Sequence, residues 1–183
     1  MTAYRKRDFP VDQIRRFLEP GPVILVSSAF NGRNNIMTLG WHTIMESSPS
    51  LVGCYIWSEN HSFAMIRKSR ECVINIPTID MVDTVIGIGN TSGTTTDKFE
   101  QFALTPSAGA HVQAPLIDEC YANIECRVVD IVNKYSFFVL EALAAHVPAR
   151  PKYPQTLHYR GDGVFMFAGK SVSYARKFKP EML

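Results

Sequence analysis

Apolar and polar residues alternate in twos along much of this chain, the pattern of half-buried strands. From Asn35 to Met45, Ile36, Thr38, Gly40, His42 and Ile44 fall on one face, and Met37, Leu39, Trp41, Thr43 and Met45 on the other. Val23 to Val26 is an aliphatic run ahead of it, and Asn31-Gly32 supplies residues that tolerate the positive φ angles of a tight hairpin turn. Leu51 to Trp57 and Cys72 to Pro77 read as further strands, with Pro77 confining the second to an edge or a strand end. Later, Ala122, Ile124, Cys126 and Val128 share one face while Asn123, Glu125 and Arg127 share the other. A turn at Asn133 to Ser136 returns the chain as Phe137 to Val147, and Gly161-Asp162-Gly163 introduces a short terminal strand, Val164 to Phe167.

Helical spacing is confined to short stretches. Val11, Ile14, Phe17 and Leu18 give one within residues 9–19, Phe63, Met65 and Ile66 a second within 61–68, and Val82, Val85 and Ile86 a third within 80–88. Asp97-Lys98-Phe99 begins another helical turn. The sum is about seven or eight strands and two to four short helices without a βαβ rhythm. This predicts a single, mainly β (α+β) domain over residues 1–183, a closed antiparallel barrel with appended helices.

Composition narrows the function classes. With 183 residues, 46% of them hydrophobic, the chain can bury a core without cross-links. A net charge of +2 argues against nucleic acid as a partner, and the basic runs near the termini, Arg5-Lys6-Arg7 and Arg176-Lys177, are expected to be solvated. Cys54, Cys72, Cys120 and Cys126 form no CxxC pair and no metal-ligand spacing, so they read as buried small hydrophobes in a reducing cytoplasm. The opening MTAYRKRDF lacks the apolar core of a signal peptide, and no run approaches the ~20 apolar residues that span a bilayer, so no membrane partner is expected.

Three places carry chemistry. The strand from Asn35 sets Asn, Thr and His among large apolar groups, so it is either an ordinary half-buried strand or a surface that receives a ligand. Ser58 or Asn60 caps the helix from His61, whose first N–H groups offer an anion site or are simply capped. Gly89 to Thr96, rich in glycine and hydroxyls and followed by Lys98, has the donors a phosphate needs or is a flexible surface loop. Gly87, Gly89 and Gly93 have the wrong spacing for a dinucleotide fingerprint, and Ser27 and Ser28 have no evident base, so nucleophilic catalysis finds no support.

In order and spacing, these stretches resemble the flavin reductase-like, FMN-binding split-barrel family, closest to its flavoredoxin branch. The carriers are Asn35-Ile36-Met37-Thr38 with Trp41 and Ser48-Pro49 behind it, Ser58-Glu59-Asn60-His61-Ser62, Val73 to Pro77, Gly89 to Gly93 leading to Asp97-Lys98-Phe99, and Ile124-Glu125-Cys126. The resemblance covers roughly residues 20–147, leaving 148–183 as a C-terminal extension. It implies a Greek-key split barrel and a homodimer with FMN near the subunit interface. The electron donor would be NADH or NADPH, or, in a flavoredoxin, a redox partner protein would exchange the electrons; the other alternative is a non-enzymatic split-barrel binding module. It sets Asn35, Ile36, Met37 and Thr38 along the ring system and ribityl chain, and Ser58, His61 and Ser62 at the phosphate, with Asn75, Ser92, Gly93 and Lys98 completing the cradle. The flavin itself carries the chemistry, so no catalytic side chain and no metal is expected. Trp41 is assigned to the core or the dimer interface. One departure is visible: where reductases of the family often have a Gly-Asp-His turn, this chain has Asn133-Lys134-Tyr135-Ser136, leaving His146 as the substitute histidine.

Overall fold

The computed structural model describes residues 4–18 and 21–180. The chain enters through strand β1 (Lys6–Phe9), a 3-10 turn and the one-turn helix α1 (Arg15–Leu18). Strands β2 (Ile24–Phe30) and β3 (Arg33–Leu39) form one hairpin, β4 (His42–Ser47) and β5 (Ser50–Tyr55) a second. Helix α2 (His61–Ser69) leads into β6 (Glu71–Ile76), followed by helices α3 (Val82–Asn90) and α4 (Lys98–Gln101). Short strands β7 (Pro106–Ser107) and β8 (Leu116–Ile117) precede the long pair β9 (Ala122–Val132) and β10 (Phe137–Pro148). Strands β11 (Leu157–Gly161) and β12 (Val164–Phe167) make a separate hairpin.

The main sheet is antiparallel in the order β3-β2-β6-β9-β10-β5-β4, with β1 added along β10. Its two end strands, β3 and β4, are separated in sequence only by Gly40 and Trp41. The sheet therefore curls until its edges meet, which makes a split barrel. The β2–β3 hairpin turns at Asn31 (φ 50°) and Gly32 (φ 73°), as the Asn-Gly pair predicts. The strand predicted to run unbroken from Asn35 to Met45 instead ends at Leu39 and restarts at His42. The break shifts the phase: Met37 and Leu39 face the barrel interior before it, and Ile44 packs against that same interior after it.

Two apolar layers result. Ile24, Val26, Met37, Leu39, Ile74, Ile124, Phe138 and Leu140 fill the barrel, and α2 plugs it with Phe63 set edge-on to Phe138 at 5.3 Å between centroids. Leu25 and Ile36, pointing out of the same two strands, pack beneath Val85 and Ile88 of α3 and Phe99 of α4. Strands β2 and β3 are thus apolar on both faces, which leaves β3 as a wall between core and helices. The alternation predicted for β9 holds, with Ala122, Ile124, Cys126 and Val128 inside. All four cysteines are buried and free.

Other details depart from the sequence reading. Lys6 is not solvated: its ammonium donates to the carbonyls of Ile117 and Asp118, both at 3.1 Å, and burial pushes its pKa down. Asn75 sits fully buried at the centre of the sheet. Its amide donates to Leu25 O and Ser27 Oγ, while its oxygen accepts from Ile117 N and Asn123 Nδ2. Glu125, also fully buried, accepts from the N–H groups of Ala110, His111 and Val112 and from His146 Nε2 at 2.8 Å. Burial alone would raise its pKa, but the bonds from His146, Ala110 and His111 outweigh that and hold it below the usual carboxylate range.

Because the folded-state pKa of Glu125 lies below the unfolded one, its carboxylate stabilises the fold above about pH 4.3, and that contribution is lost as pH falls through the folded pKa. Glu125→Ala should cost roughly 3–5 kcal/mol at pH 7, since three N–H groups and His146 lose their acceptor together. Urea unfolding at pH 7 and pH 3 should show the gap to wild type shrinking in acid. A loss below about 1 kcal/mol at pH 7 would mean that the group behaves as an exposed charge.

Candidate functional site

A cavity of about 290 Å³ lies between β3, the start of α2 and the loop that follows α3. Strand β3 contributes Asn35, Met37 and Thr38, α2 contributes His61 and Ser62, and the later segment contributes Ser92, Gly93 and Lys98. The fold thus brings together residues that lie far apart in sequence. Three anticipated residues are elsewhere. Ile36 is fully buried in the layer under α3, packed with Val85, Ile88 and Phe99. Ser58 lies in the turn ahead of α2, outside the lining, and Asn75 belongs to the buried amide network of the sheet. Sequence reasoning left Glu59, Asn60, Ile88, Gly89, Asn90 and Thr91 out of the site residues, although all but Ile88 lie within the Ser58–Ser62 and Gly89–Thr96 stretches it had singled out.

Each wall has a local cause. Asn60 takes the N-cap position of α2, but its side chain makes no capping bond. The N–H groups of His61 and Ser62 precede the first intrahelical acceptor, so they remain available at the positive end of the helix dipole. Asn35, 3% exposed, donates through Nδ2 to Ser62 Oγ at 2.8 Å, which ties β3 to the helix start. Its Oδ1 is buried and has no hydrogen-bond partner among the described residues. Gly93 passes directly over that oxygen, and a Cβ there would overlap Asn35 Oδ1 and Cγ. Thr38 Oγ1 donates to Val85 O at 2.7 Å and fixes β3 against α3.

Lys98 is the cation of the site. Its ammonium donates to Ile36 O and Ile88 O, each at 2.9 Å, which leaves the third of its N–H donors for the cavity. Burial lowers its pKa to about 8. Asp97 beside it is turned the other way, accepting from Phe99 N and Glu100 N as the cap of α4. The arrangement therefore offers an acceptor-rich ligand two helix N–H groups, hydroxyls and one ammonium, and offers an N–H donor the orphaned Asn35 oxygen. At the other end, Thr38, Gly89 and Asn90 also border a second cavity of about 560 Å³, lined by Trp41, Tyr159 and Phe165. Trp41 is 72% exposed, so it is neither in the core of this chain nor remote from the site.

The sequence profile of the flavin reductase-like domain matches residues 15–165. The chain belongs to the flavin reductase-like domain family. An uncharacterized protein of Archaeoglobus fulgidus is 34% identical over 129 residues, 69% of this chain and 72% of that protein. Among solved structures, the FMN-binding domain of a flavin reductases-like enzyme from Shewanella baltica superposes with a TM-score of 0.87 at 21% identity, over 94% of this chain and 99% of that one. Flavoredoxin from Methanosarcina acetivorans gives 0.77 at 26% identity, over 88% and 92%. The fold is accordingly the FMN-binding split barrel of this flavin reductase-like family. His146, which the sequence offered as a possible replacement for a reductase histidine, is held by Glu125 at 2.8 Å with Asp8 3.4 Å from its other ring nitrogen, and lines none of the cavities along β3.

The Lys98 side chain should titrate near pH 8 rather than near ~10.4, the value of a free lysine. Carbon-13 NMR of labelled lysine would read the midpoint directly. A midpoint at the free-lysine value would place the ammonium in water and remove it from the two carbonyls.

Proposed function

We propose that this chain binds FMN in the cavity along β3 and acts as an oxidoreductase, passing electrons from NADH or NADPH to flavin, or through bound FMN to an acceptor. The observation that carries this reading is the convergence of the uncapped α2 terminus, the Lys98 ammonium and the unpartnered Asn35 oxygen on one space. His61, Ser62, Ser92 and Lys98 would hold the phosphate end of FMN, offering the donors a dianion requires. Asn35, Met37 and Thr38 would lie along the ribityl chain and ring, with Asn35 Oδ1 accepting from an N–H or O–H of the ligand. Once bound, FMN supplies the electron transfer.

The protein's own part is placement. Gly93 keeps its backbone close over Asn35, and Thr38, bound to Val85 O, keeps the strand against α3. The aromatic cavity at Trp41 gives a second flat molecule room beside the ring end. Hydride transfer to flavin needs no protein acid or base, which agrees with a site whose titratable groups serve binding. A homodimer with its interface near the site is part of the same reading. A second reading has its own support: with Asn133 to Ser136 in place of a histidine turn and His146 engaged by Glu125, the chain suits a flavoredoxin that exchanges electrons with a protein partner.

Lys98→Ala should weaken FMN binding by ~1.5–3 kcal/mol, the range for a hydrogen bond to a charged group, in a fluorescence titration at pH 7. The same change strips a donor from two buried carbonyls, so a lower melting temperature is expected as well and must be measured separately. An unaltered dissociation constant would take Lys98 out of the phosphate site. Anaerobic addition of NADH or NADPH to the FMN-loaded protein should bleach the flavin absorbance. Persistence of the oxidised spectrum would leave the flavoredoxin reading, and failure to take up FMN at all would defeat both.

A further inference from the structure

A separate cavity of about 350 Å³ opens where β1, α1, the end of β10 and the link over residues 149–156 meet. It shares no lining residue with either cavity along β3. Its wall is largely aromatic: Phe9 of β1 meets Phe17 of α1 edge-on at 5.3 Å between centroids, and Phe17 meets Tyr121 at 5.9 Å. The Tyr121 hydroxyl donates to Pro151 O, which ties the link to the start of β9 and fixes one side of the opening. Arg7 precedes the residues that the family profile matches, and Ala168 and Ser171 follow them, so this cavity is built in part from segments outside that domain.

Two cations stand at this wall. Arg7 and Phe9 are two positions apart on β1, so one face of the strand delivers both to the cavity. Asp8 between them is turned to the opposite face, 3.4 Å from His146 Nδ1. Lys152 comes from the link, its ammonium 5.3 Å from the centre of the Tyr153 ring. Neither cation forms an ion pair among the described residues, and no carboxylate lines the cavity. An apolar space with a positive rim and no counter-charge of its own selects an anion with an apolar body. A guanidinium presents paired N–H donors that match a carboxylate, and walls packed edge-to-face suit a flat ring. At about 30 Å³ per water-sized body, the volume holds roughly a dozen non-hydrogen atoms.

We infer that this cavity binds a small aromatic carboxylate, its acid group held by Arg7 and Lys152 and its ring among Phe9, Phe17 and Tyr121. The inference stands apart from the flavin reading, because it uses none of that site's residues.

The test is a calorimetric titration of the purified chain with 2-naphthoate and with its uncharged counterpart 2-naphthamide. It is run on wild type, Arg7→Ala and Lys152→Ala, each with and without saturating FMN. Wild type should bind the acid about tenfold or more tightly than the amide, the equivalent of one hydrogen bond to a charged group. In Arg7→Ala that preference should fall about tenfold. The melting temperature and FMN affinity should stay at wild-type values, since Arg7 is exposed and lies outside the flavin cavity. A preference that survives in both variants means that these cations do not read the carboxylate, and the proposal falls. Displacement of the acid by FMN would put it in the cavity along β3 and overturn the proposal equally. Absence of binding to wild type, as when a second copy of the chain covers the cavity, overturns it outright. Failure of FMN to bind would remove the flavin reading and leave this site standing on its own titrations.

Discussion

The structure depends on a seam. Because β3 runs into β4 through only Gly40 and Trp41, the first and last strands of the sheet path are neighbours along the chain, and the barrel closes through covalent linkage. The edge of β3 beyond β2 therefore has no strand to pair with, and an edge buried under helices must have its backbone groups satisfied another way. Lys98 meets that need: its ammonium bonds the carbonyl of Ile36 on β3 and that of Ile88 at the end of α3. One cation thus joins strand edge to helix cover, and the candidate site is the space left beside that junction. Burial of the ammonium, which draws its pKa toward neutrality, follows from the same geometry.

Polar groups elsewhere follow an opposite rule. The Asn75–Asn123–Ser27 network and the Glu125 cluster satisfy nearly all their members, tying β2, β6 and β9 to the segment around Pro115 and Ile117. Such networks make a unique register cheaper than any slip, since a shift would leave amides unpaired in an apolar layer. The Asn35 oxygen has no partner in that sense, and an unmet buried acceptor costs about 1–3 kcal/mol. A ligand that donates to it returns that cost as binding energy, while the scaffold beneath stays fixed.

How much of this was legible in the sequence depends on the kind of signal. The Asn-Gly turn, the β9–β10 alternation and the helix from His61 are local patterns, and each formed where the residues indicated. Strand β1 was missed because Lys6-Arg7-Asp8-Phe9 has no apolar face of its own; it exists because β10 offers it an edge. Strand β11 was missed behind a proline-rich link, and the break at Gly40-Trp41 was hidden because the residues there carry no turn signal that announces the change of phase. For the site, residue type left each stretch open between a ligand surface and ordinary structure, and the family resemblance supplied Asn35, Met37, Thr38, His61, Ser62, Ser92, Gly93 and Lys98, which line a single cavity. Asn75 lies in the amide network of the sheet and not in the cavity lining; a buried amide can serve a sheet or a ligand, and nothing local distinguishes the two. Trp41 was assigned to the core or the dimer interface; the phase shift at the seam turns it out beside the cavity, which removes the core alternative.

Cys54, Cys72 and Cys126 lie within the barrel and Cys120 lies beneath α3, all fully buried. Burial pushes the thiols of Cys54 and Cys120 up, and a bond to Cys72 together with burial does the same for Cys126. Thiolate is the reactive form, so Cys54, Cys120 and Cys126 are poor targets for alkylating reagents in the folded state, and Cys72 is shielded from them by its burial. A cysteine introduced at the protein surface would consequently be the single reactive handle on an otherwise native chain. Fluorophores or spin labels could be attached beside the seam without first removing any natural residue.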